Sequence, residues 1–373
     1  MAMADPFELW RQAWSTAAAQ GVERFVDFFV PSAALAHPRP AELDLSAFAT
    51  LGRVRIELAT MLLLEQREPA PSKTSPALIV APYAVHDASI ADFAEGHSIA
   101  MALAESGPHR LALTFWKSAT AAMRDFGIDA YLADLNVAVD DLGGRAALIG
   151  LCQGGWLAAA YAARFPKKVA KLVLAGAPLD PGAGESGITQ ALASVPPATI
   201  QQIVALGGGR ISGSLSFALW SDGLSPEFTA EAALQCCVDP AIMAKFNVWN
   251  LRTVDLPGAY FVQTVEWVFR ENRLARGSFP ALGRPAPLSA VEAPIFVLAA
   301  ADDELVSLPQ ATAAKSLCRR TRVETRIAPG RHLSLFIGRR TVGGVWRDIA
   351  QWLAEPEREP APAPGAKRSR KRG

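Results

Sequence analysis

The stretch Ala146-Ala147-Leu148-Ile149-Gly150-Leu151-Cys152-Gln153-Gly154-Gly155 decides the fold of this chain. Its apolar first half predicts a buried strand, and the run Trp156–Ala163 that follows predicts a helix. A strand, a tight turn and a helix with a nucleophile at the tip form a nucleophile elbow. The glycines have a steric reason, because the nucleophile's backbone is strained and side chains beside it would collide with the neighbouring strand and helix. The stretch therefore predicts that Cys152 lies at the tip of an elbow.

A thiol in this position indicates acyl transfer through a thioester intermediate. The pattern G-x-C-x-G also occurs by chance, and cysteine is often a small buried hydrophobic residue. The motif alone therefore leaves a structural and a catalytic interpretation open, and residues elsewhere in the chain must decide between them.

Composition and charge exclude several classes of function. Half of the 373 residues are hydrophobic, which allows one large α/β domain or two small ones. The formal net charge is +1, so the chain has no global electrostatic preference for nucleic acid or a membrane. No metal-ligand spacing and no disulfide density is found among the cysteines, which are Cys152, Cys236, Cys237 and Cys318. We therefore expect no metal, no cofactor and a reducing, cytoplasmic environment.

Neither a secretory signal nor a membrane span is predicted. The first residues, Met1–Pro6, lack the basic and apolar regions of a signal peptide. The apolar run Thr60–Leu64 is too short to cross a membrane and ends at Glu65.

Residues 1–74 are predicted to form an N-terminal helical segment. Apolar residues recur largely at helical spacing at Phe7, Trp10, Trp14, Val22, Phe25, Val26 and Phe29. Pro31, Pro38 and Pro40 break this pattern, and a second helix is expected over about 46–66. The segment is either an appendage packed on the core or an apolar surface for a partner or a hydrophobic particle.

From Ala77 onward, short apolar runs alternate with helical patterns. Strands are predicted over 77–81, 110–115, 146–149, 171–175, 294–299 and 322–327. Helices are predicted over about 89–105, 129–142, 153–165 and 340–353. This alternation predicts an α/β fold, with a mostly parallel sheet flanked by helices and joined by right-handed crossovers, in a domain spanning 75–354.

Two further segments interrupt or follow that domain. Residues from about 180 to 290 are predicted to be helical and to form a cap inserted over the site, with Gly207-Gly208-Gly209 as a helix terminus rather than a phosphate loop. The tail 355–373 is rich in proline, alanine and charge, and is predicted to be disordered. It ends in Lys367–Arg372, which either contacts a polyanion or simply favours solubility.

A catalytic cysteine needs a base and a residue that orients the base. In the α/β-hydrolase order, the acid and then the histidine follow the nucleophile. Asp303 is the preferred acid because it follows the strand 294–299 and precedes a Glu-Leu-Val turn, and Asp302 is the alternative. His332 is the only histidine C-terminal to Cys152, so a triad in this order must use His332 as the base.

The oxyanion hole is expected to use two backbone N–H groups. One belongs to Gln153, and the other to Tyr83 or Ala84 in the loop after the first predicted strand of the core. His86 lies in the same loop and is a candidate for lining the substrate pocket. The remaining histidines have weaker claims, since His37 and His109 are placed at predicted turns and His97 is predicted to be structural.

With these residues in place, the chain resembles a known family over about 75–353: the polyhydroxyalkanoate synthases and the related intracellular polyhydroxyalkanoate depolymerases. Gly150–Gly155 is similar to the synthases' modified lipase box, in which the cysteine carries the growing chain. Segments similar to both groups are Phe115-Trp116, Gly127–Tyr131 and Ala175–Asp180. Segments more similar to the depolymerases are Ala81-Pro82 with His86, Asp255–Val265 with Phe269 and Leu274, and Asp302-Asp303 with Gln310, Ala313-Ala314 and Leu317-Cys318. The resemblance implies an α/β-hydrolase fold and the triad Cys152, Asp303 and His332.

The chain departs from this family's patterns at three places. Gly154 stands where the depolymerases have a proline, and Glu304 stands where synthases usually have a histidine after the acid. Val85-His86 stands near the synthases' Asn-Lys pair. These departures leave the choice between making and breaking polymer open.

Three hypotheses follow. The first, slightly preferred, is a cysteine-dependent hydrolase of polyhydroxyalkanoate or related hydroxyacyl esters. The second is a polyhydroxyalkanoate synthase that uses hydroxyacyl-coenzyme A, and the third is a non-catalytic granule-associated protein that keeps the fold. The resemblance implies the polymer or hydroxyacyl-coenzyme A as partner, with a polymer-granule surface and a homodimer as further candidates.

Overall fold

The computed structural model describes residues 43–50, 52–67, 74–108, 110–213, 230, 232–235 and 240–356. Eight strands form one sheet: β1 Arg53–Glu57, β2 Met61–Arg67, β3 Ala77–Val80, β4 Leu111–Trp116, β5 Ala146–Leu151, β6 Val169–Ala175, β7 Ile295–Ala300 and β8 Val323–Ala328. Their order across the sheet is β1-β2-β4-β3-β5-β6-β7-β8. Strands β3 to β8 run parallel, whereas β2 is antiparallel to both of its neighbours. The predicted fold class, a mostly parallel sheet, is confirmed.

Strand β5 lies between β3 and β6 near the middle of the sheet, and every residue of β3, β4, β5, β6 and β7 is buried. Such uniformly apolar strands are typical of parallel sheets covered on both faces. Because the carboxyl end of a central strand is where these folds place ligands, the end of β5 at Leu151 is the natural position for a site.

Helices cover the sheet and fill the connections. Their bounds are α1 Ile99–Ser106, α2 Ile128–Asp141, α3 Gln153–Arg164, α4 Gly187–Ser194, α5 Pro197–Leu206, α6 Pro240–Leu251, α7 Gly258–Gln263, α8 Arg273–Arg276, α9 Leu308–Thr312, α10 Ala314–Leu317, α11 Ser334–Ile337, α12 Arg339–Gly343 and α13 Val345–Ala354. Short 3-10 turns lie at Leu45–Ala47, Ala88–Ala91, Ala121–Met123, Pro166–Lys168 and Leu288–Ala290. Helix α3 packs on β5 and β6, and α13 packs on α1.

The prediction of a helix over about 46–66 is wrong. This segment forms β1 and β2, which pair as an antiparallel hairpin at one edge of the sheet. The misread signal is the alternation of charged and apolar residues in Arg53–Leu58, which has the two-residue period of a strand. The sheet therefore begins before residue 75. The earlier part of the predicted N-terminal helical segment, up to residue 42, lies outside the described residues.

The helix predicted over about 89–105 is only partly correct. Asp87 caps the short turn Ala88–Ala91, and the helix α1 starts afresh after Ser98, whose Oγ accepts from the N–H of Met101 at 2.9 Å. Gly96 lies between the two at a φ of +75°, a conformation that ends helical geometry.

Between β6 and β7 the described residues are mainly helical, as predicted for about 180–290. The glycine run was correctly interpreted, since α5 ends at Leu206 and both Gly208 and Gly209 have positive φ. Thr264–Arg270 continues α7 in π-helical geometry, which is uncommon and frequent at functional sites. Two-residue ladders pair Arg210–Ile211 with Leu256–Pro257, and Pro280–Ala281 with Arg284–Pro285.

Among the helices in the described ranges, none is long and apolar enough to cross a membrane. The tail predicted from 355 lies, beyond Pro356, outside the described residues, as do Cys236 and Cys237.

Candidate active site

Cys152 lies on a sharp turn between β5 and α3. Its backbone has φ 49° and ψ −116°, a region that L-residues rarely occupy, and its N–H donates to the carbonyl of Ala175 at 2.8 Å. Strain of this kind is stored where the surrounding structure holds a residue in one functional geometry. The side chain is partly exposed rather than buried in the core. The strand–turn–helix geometry predicted for the elbow is therefore present.

The elbow glycines are required by close approach of neighbouring atoms. A Cβ on Gly150 would lie 2.5 Å from the Cα of Gly155, and a Cβ on Gly155 would lie 2.3 Å from the Cβ of Ala177. At Gly154 it would lie 2.1 Å from the carbonyl oxygen of Val80. These contacts show why the sequence carries glycine on both sides of Cys152.

We expect Gly154→Ala to destabilise the protein by about 1–3 kcal/mol or more, because the added methyl group meets backbone oxygens that cannot rotate away. Gly343→Ala is the matched control, since a Cβ there meets nothing within 4 Å. Urea denaturation of both variants tests this. Equal stability of the two variants would show that the elbow can relax around the new side chain.

His332 and Asp303 form a buried pair. The imidazole Nδ1 lies 2.8 Å from Oδ2 and 3.0 Å from Oδ1 of Asp303, and the two side chains are only 3% and 1% exposed. The carboxylate is held in turn by the N–H groups of Leu305 and Val306, at 2.9 and 2.8 Å from Oδ1. Asp302 is exposed, so Asp303 is the carboxylate that the structure places against the imidazole.

The second nitrogen of that imidazole faces the elbow region. His332 Nε2 is buried, the Cys152 side chain interacts with the imidazole, and a Cβ on Gly176 would lie 3.0 Å from His332 Cε1. Gly176 directly follows Ala175, which accepts the Cys152 N–H. Burial acts to lower the pKa of His332, but the Asp303 carboxylate and, after it, the Cys152 sulfur raise that pKa well above its usual value. Cys152, His332 and Asp303 therefore lie together at one end of the sheet.

The raised pKa of His332 makes a prediction about stability and pH. A group whose pKa is higher in the folded protein stabilises it fully below its unfolded pKa of about 6.5, and that contribution is lost as pH rises through the folded value. The free energy of unfolding of the wild type, measured relative to His332→Gln, should therefore fall as pH rises above about 6.5. Urea titrations across that range check this, and a difference that grows with pH would contradict it.

Two side chains that sequence reasoning did not assign hold the histidine loop. Glu304 Oε2 accepts the His332 N–H at 3.1 Å and lies 3.4 Å from Arg331 Nε. Gln235 reaches the same loop from the segment before β7, donating from Nε2 to the carbonyl of Pro329 at 2.8 Å. Only the position of Glu304 next to Asp303 indicates from the sequence that Glu304 contacts the site. Nothing in the sequence indicates the contact of Gln235, because its partner Pro329 is 94 positions away.

The loop after β3 runs beside the elbow, as expected for the second half of an oxyanion hole. The carbonyl oxygens of Val80 and Ala81 lie 2.1 and 2.6 Å from the position of a Gly154 Cβ. Gln153 is the first residue of α3, so its N–H has no carbonyl acceptor in a preceding helical turn. Tyr83 is buried and Ala84 is partly buried in the adjoining loop. The structure thus brings the loop to the elbow and does not distinguish the Tyr83 from the Ala84 N–H as donor.

His86 is turned toward helix α6. Its Nδ1 lies 3.3 Å from the carbonyl oxygen of Arg252, and its ring centroid lies 4.3 Å from that of Trp249. Burial lowers the pKa of His86 to about 4, so the ring is neutral at physiological pH. These contacts place His86 between the loop after β3 and the helical segment.

Three tyrosines, from the loop after β3, from α2 and from α7, pack together beside α3. The Tyr83 hydroxyl lies 3.0 Å from the carbonyl oxygen of Lys117 and 3.1 Å from that of Asp255. The same hydroxyl accepts a hydrogen bond from the Tyr131 hydroxyl at 3.1 Å. The Tyr260 ring centroid lies 4.6 Å from Tyr131, 5.1 Å from Tyr83 and 6.4 Å from Trp156.

The described residues contain no group of three or more His, Cys, Asp or Glu side chains that could hold a metal ion. The remaining described thiol, Cys318, is buried, and burial raises its pKa to about 12. Within these ranges, Cys152 is thus the more accessible of the two thiols.

Comparison of the sequence with known protein families identifies the family to which this chain belongs. The family described as alpha/beta hydrolase fold matches residues 104–338, more than half of the 373 residues. A monoacylglycerol lipase from Paleococcus ferrophilus has a solved structure that aligns with a TM-score of 0.53 and 12% identity, covering 79% of this chain and 98% of that one. At this identity the likeness to the lipase shows the fold alone.

Curated relatives share one name, Poly(3-hydroxyalkanoate) polymerase subunit PhaC. The protein from Synechocystis is 27% identical over 324 residues, which cover 79% of this chain and 80% of that protein. The one from Haloferax mediterranei is 23% identical over 222 residues, covering 56% of this chain and 43% of that protein. The one from Haloarcula marismortui is 22% identical over 311 residues, covering 78% and 62%. This chain thus spans less than two thirds of the length of the two haloarchaeal relatives.

Proposed function

Since the chain belongs to the α/β hydrolase fold family, we propose that it transfers a hydroxyacyl group through a thioester on Cys152, with hydroxyacyl-coenzyme A as the donor. One observation carries the proposal. A partly exposed thiol on a strained elbow lies close enough to a buried imidazole to raise the pKa of that imidazole, and the Nδ1 of the imidazole contacts Asp303. This is the arrangement that activates a thiol for attack on a carbonyl.

In the first half of the reaction, the proton of Cys152 Sγ lies on His332 Nε2, and the sulfur attacks the thioester carbonyl carbon of the donor. Asp303 keeps the other proton of the imidazole on Nδ1 and stabilises the imidazolium that forms. The developing oxyanion is bound by the N–H of Gln153 and by the N–H of Tyr83 or Ala84. The C–S bond to coenzyme A then breaks, and the leaving thiolate takes the proton from His332 Nε2.

In the second half, His332 Nε2 takes a proton from the hydroxyl of another hydroxyacyl group or chain end. That oxygen attacks the acyl carbon on Cys152, the new ester bond forms, and the Cys152 sulfur leaves and recovers the proton from the imidazolium. Repetition lengthens the chain by one hydroxyacyl unit per cycle. Water in place of the hydroxyl would turn the same steps into hydrolysis.

Two considerations support transfer over hydrolysis. Exchange of one thioester for another is close to balanced, so a thiol nucleophile suits a coenzyme A donor, whereas opening a polymer ester with a thiol is uphill. The curated relatives, moreover, are named as polymerase subunits. Both points shift the balance away from hydrolysis, which the sequence alone slightly favoured.

Hydrolysis of polymer is the second candidate, and a specific observation favours it. The segment Asp255–Val265 is similar to intracellular depolymerases, and this segment packs on the oxyanion loop through the Tyr83–Asp255 hydrogen bond of 3.1 Å. A depolymerase-like segment thus adjoins the reaction centre.

The deciding experiment incubates the purified protein with hydroxybutyryl-coenzyme A and, separately, with amorphous polyhydroxybutyrate. Release of coenzyme A together with an insoluble product is the result we expect. Release of soluble hydroxyacid from the polymer without chain growth would establish the hydrolase instead. Silence in both assays, with Cys152 unreactive toward iodoacetamide, would leave the non-catalytic, granule-associated role.

Under this proposal the protein works in the cytoplasm, where coenzyme A thioesters are made, and its product collects as granules. A granule surface, a second copy of the chain and a polyanion bound by the basic tail remain predicted partners.

A further inference from the structure

The last strand of the sheet, β8, has one edge that pairs with no other strand in the described part of the chain. It pairs with β7 on its other side and ends the order of the eight strands. The first five residues of β8 are partly buried or exposed, whereas every residue of β7 is buried. Among them Ile327, a large apolar residue, is 53% exposed. An open edge of this kind is a template for pairing with a strand of another chain.

The backbone groups that face outward from this edge belong to alternate residues. The carbonyl oxygens of Arg322 and Ala328 each accept a hydrogen bond of 2.9 Å from the β7 side. Because backbone groups alternate in direction along a strand, the even-numbered residues of β8 face β7. The odd-numbered residues Val323, Thr325 and Ile327 therefore direct their N–H and C=O groups away from the sheet.

A second copy of β8 fits this edge in an antiparallel register with the two-fold axis at Thr325. In that register Thr325 lies opposite Thr325 of the partner subunit, and Val323 lies opposite Ile327 of the partner subunit. These are the residues whose backbone groups face outward, so each opposed pair exchanges both of its backbone hydrogen bonds. The exposed side chain of Ile327 then packs on an apolar residue instead of facing water.

The charges of β8 are complementary in the same register. On the other face of the strand, Glu324 lies opposite Arg326 of the partner subunit, and the two-fold axis repeats this pair. The Glu324 carboxylate is held at the edge by Arg322 Nη2 at 3.2 Å and by Trp352 Nε1 at 3.1 Å. Opposite charges directly across an antiparallel pair stabilise it. Charged residues can also protect an open edge from pairing, but the match between Glu324 and Arg326 favours pairing of like strands.

We propose that two copies of this chain associate through β8, so that their sheets join into one continuous sheet. A symmetric dimer of this kind closes on itself and leaves neither copy of β8 with an open edge. Each copy keeps a complete candidate site, because Cys152, Asp303 and His332 all belong to one chain. Since the two copies of β8 run in opposite directions, the two candidate sites lie at opposite ends of the joined sheet.

Sedimentation velocity of the full chain over a concentration series tests the dimer. We expect the wild type to sediment as a dimer at the higher concentrations. Arg326→Glu should weaken association by at least about 100-fold, because like charges then face each other at both symmetric positions. Arg284→Glu is the matched control, since it makes the same change of charge at an exposed residue in the hairpin before β7, and it should leave the dimer intact.

Two further variants test the register itself. Glu324→Arg should also be monomeric, and an equimolar mixture of Glu324→Arg with Arg326→Glu should recover a dimer, because every opposed pair then carries opposite charges. Thr325→Pro removes an outward N–H and leaves the hydrogen bonds to β7, so it should prevent association even if a charge variant fails to fold.

Three results would overturn the proposal. They are a wild type that is monomeric at every concentration, a dimer that both Arg326→Glu and Thr325→Pro leave intact, and a mixture of the two folded charge variants that stays monomeric. Circular dichroism establishes that each variant is folded. Association needs no substrate, so these results are independent of the proposed function, which acylation of Cys152 tests.

Discussion

Replacing Cys152 by alanine is expected to lower the rate of coenzyme A release from hydroxybutyryl-coenzyme A by about 10⁴- to 10⁶-fold. The sulfur is the atom that carries the acyl group, and the other thiol in the described part of the chain, Cys318, is buried. The folded state should change little, by at most about 1 kcal/mol in the free energy of unfolding, because the side chain is partly exposed at the tip of the elbow. Steady-state assays and urea denaturation measure the two quantities.

Cys318→Ala is the matched control for this experiment. Cys318 is buried in the main hydrophobic core, so its removal should cost some stability and leave the rate unchanged. Iodoacetamide at neutral pH should likewise modify Cys152 and spare Cys318, whose pKa is raised by burial. A Cys152→Ala protein that loses stability and keeps its activity would make Cys152 a structural residue.

Asp303→Asn is expected to lower the same rate by about 10⁴-fold. The amide keeps the shape of the carboxylate, and its oxygen can still accept from Leu305 and Val306, so the loop should hold. The amide does not stabilise an imidazolium, however, and it can present an N–H to Nδ1, which places the imidazole proton on the wrong nitrogen. Nε2 could then no longer act as the base toward Cys152.

Asp302→Asn provides the comparison, since Asp302 is adjacent in sequence and exposed. We expect its rate to stay within about twofold of the wild type, because surface substitutions away from such contacts usually have small effects. Similar losses in both variants would indicate that the acidic turn acts through its overall charge and not through the contact between Asp303 and His332.

The fold was predictable to the extent that the signal was local. The apolar runs 77–81, 146–149 and 171–175 predict buried parallel strands, because both faces of such strands are covered. Strands are present there over Ala77–Val80, Ala146–Leu151 and Val169–Ala175. The hairpin Arg53–Arg67 was misread as a helix, because an edge hairpin leaves one strand half exposed and its apolar run is short. Its pairing with β4 depends on residues about 50 positions away, which local periodicity does not encode.

In the candidate site, too, some residues could be predicted from the sequence and others could not. The elbow motif indicated Cys152, the exclusion of other histidines indicated His332, and chain order indicated Asp303 with Asp302 as the alternative. The structure places Cys152, Asp303 and His332 close to one another. The sequence gives no sign of the role of Gln235. That role depends on how the helical segment between β6 and β7 folds back over the histidine loop, a long-range arrangement without a short motif.

The most direct test of the central claim is intact-protein mass spectrometry with peptide mapping, shortly after mixing the wild type with 3-hydroxybutyryl-coenzyme A. The account predicts a hydroxybutyryl adduct on the peptide that contains Cys152, formed with release of an equal amount of coenzyme A and absent in Cys152→Ala. Release of coenzyme A with the adduct on another residue, or equal release by Cys152→Ala, would contradict it.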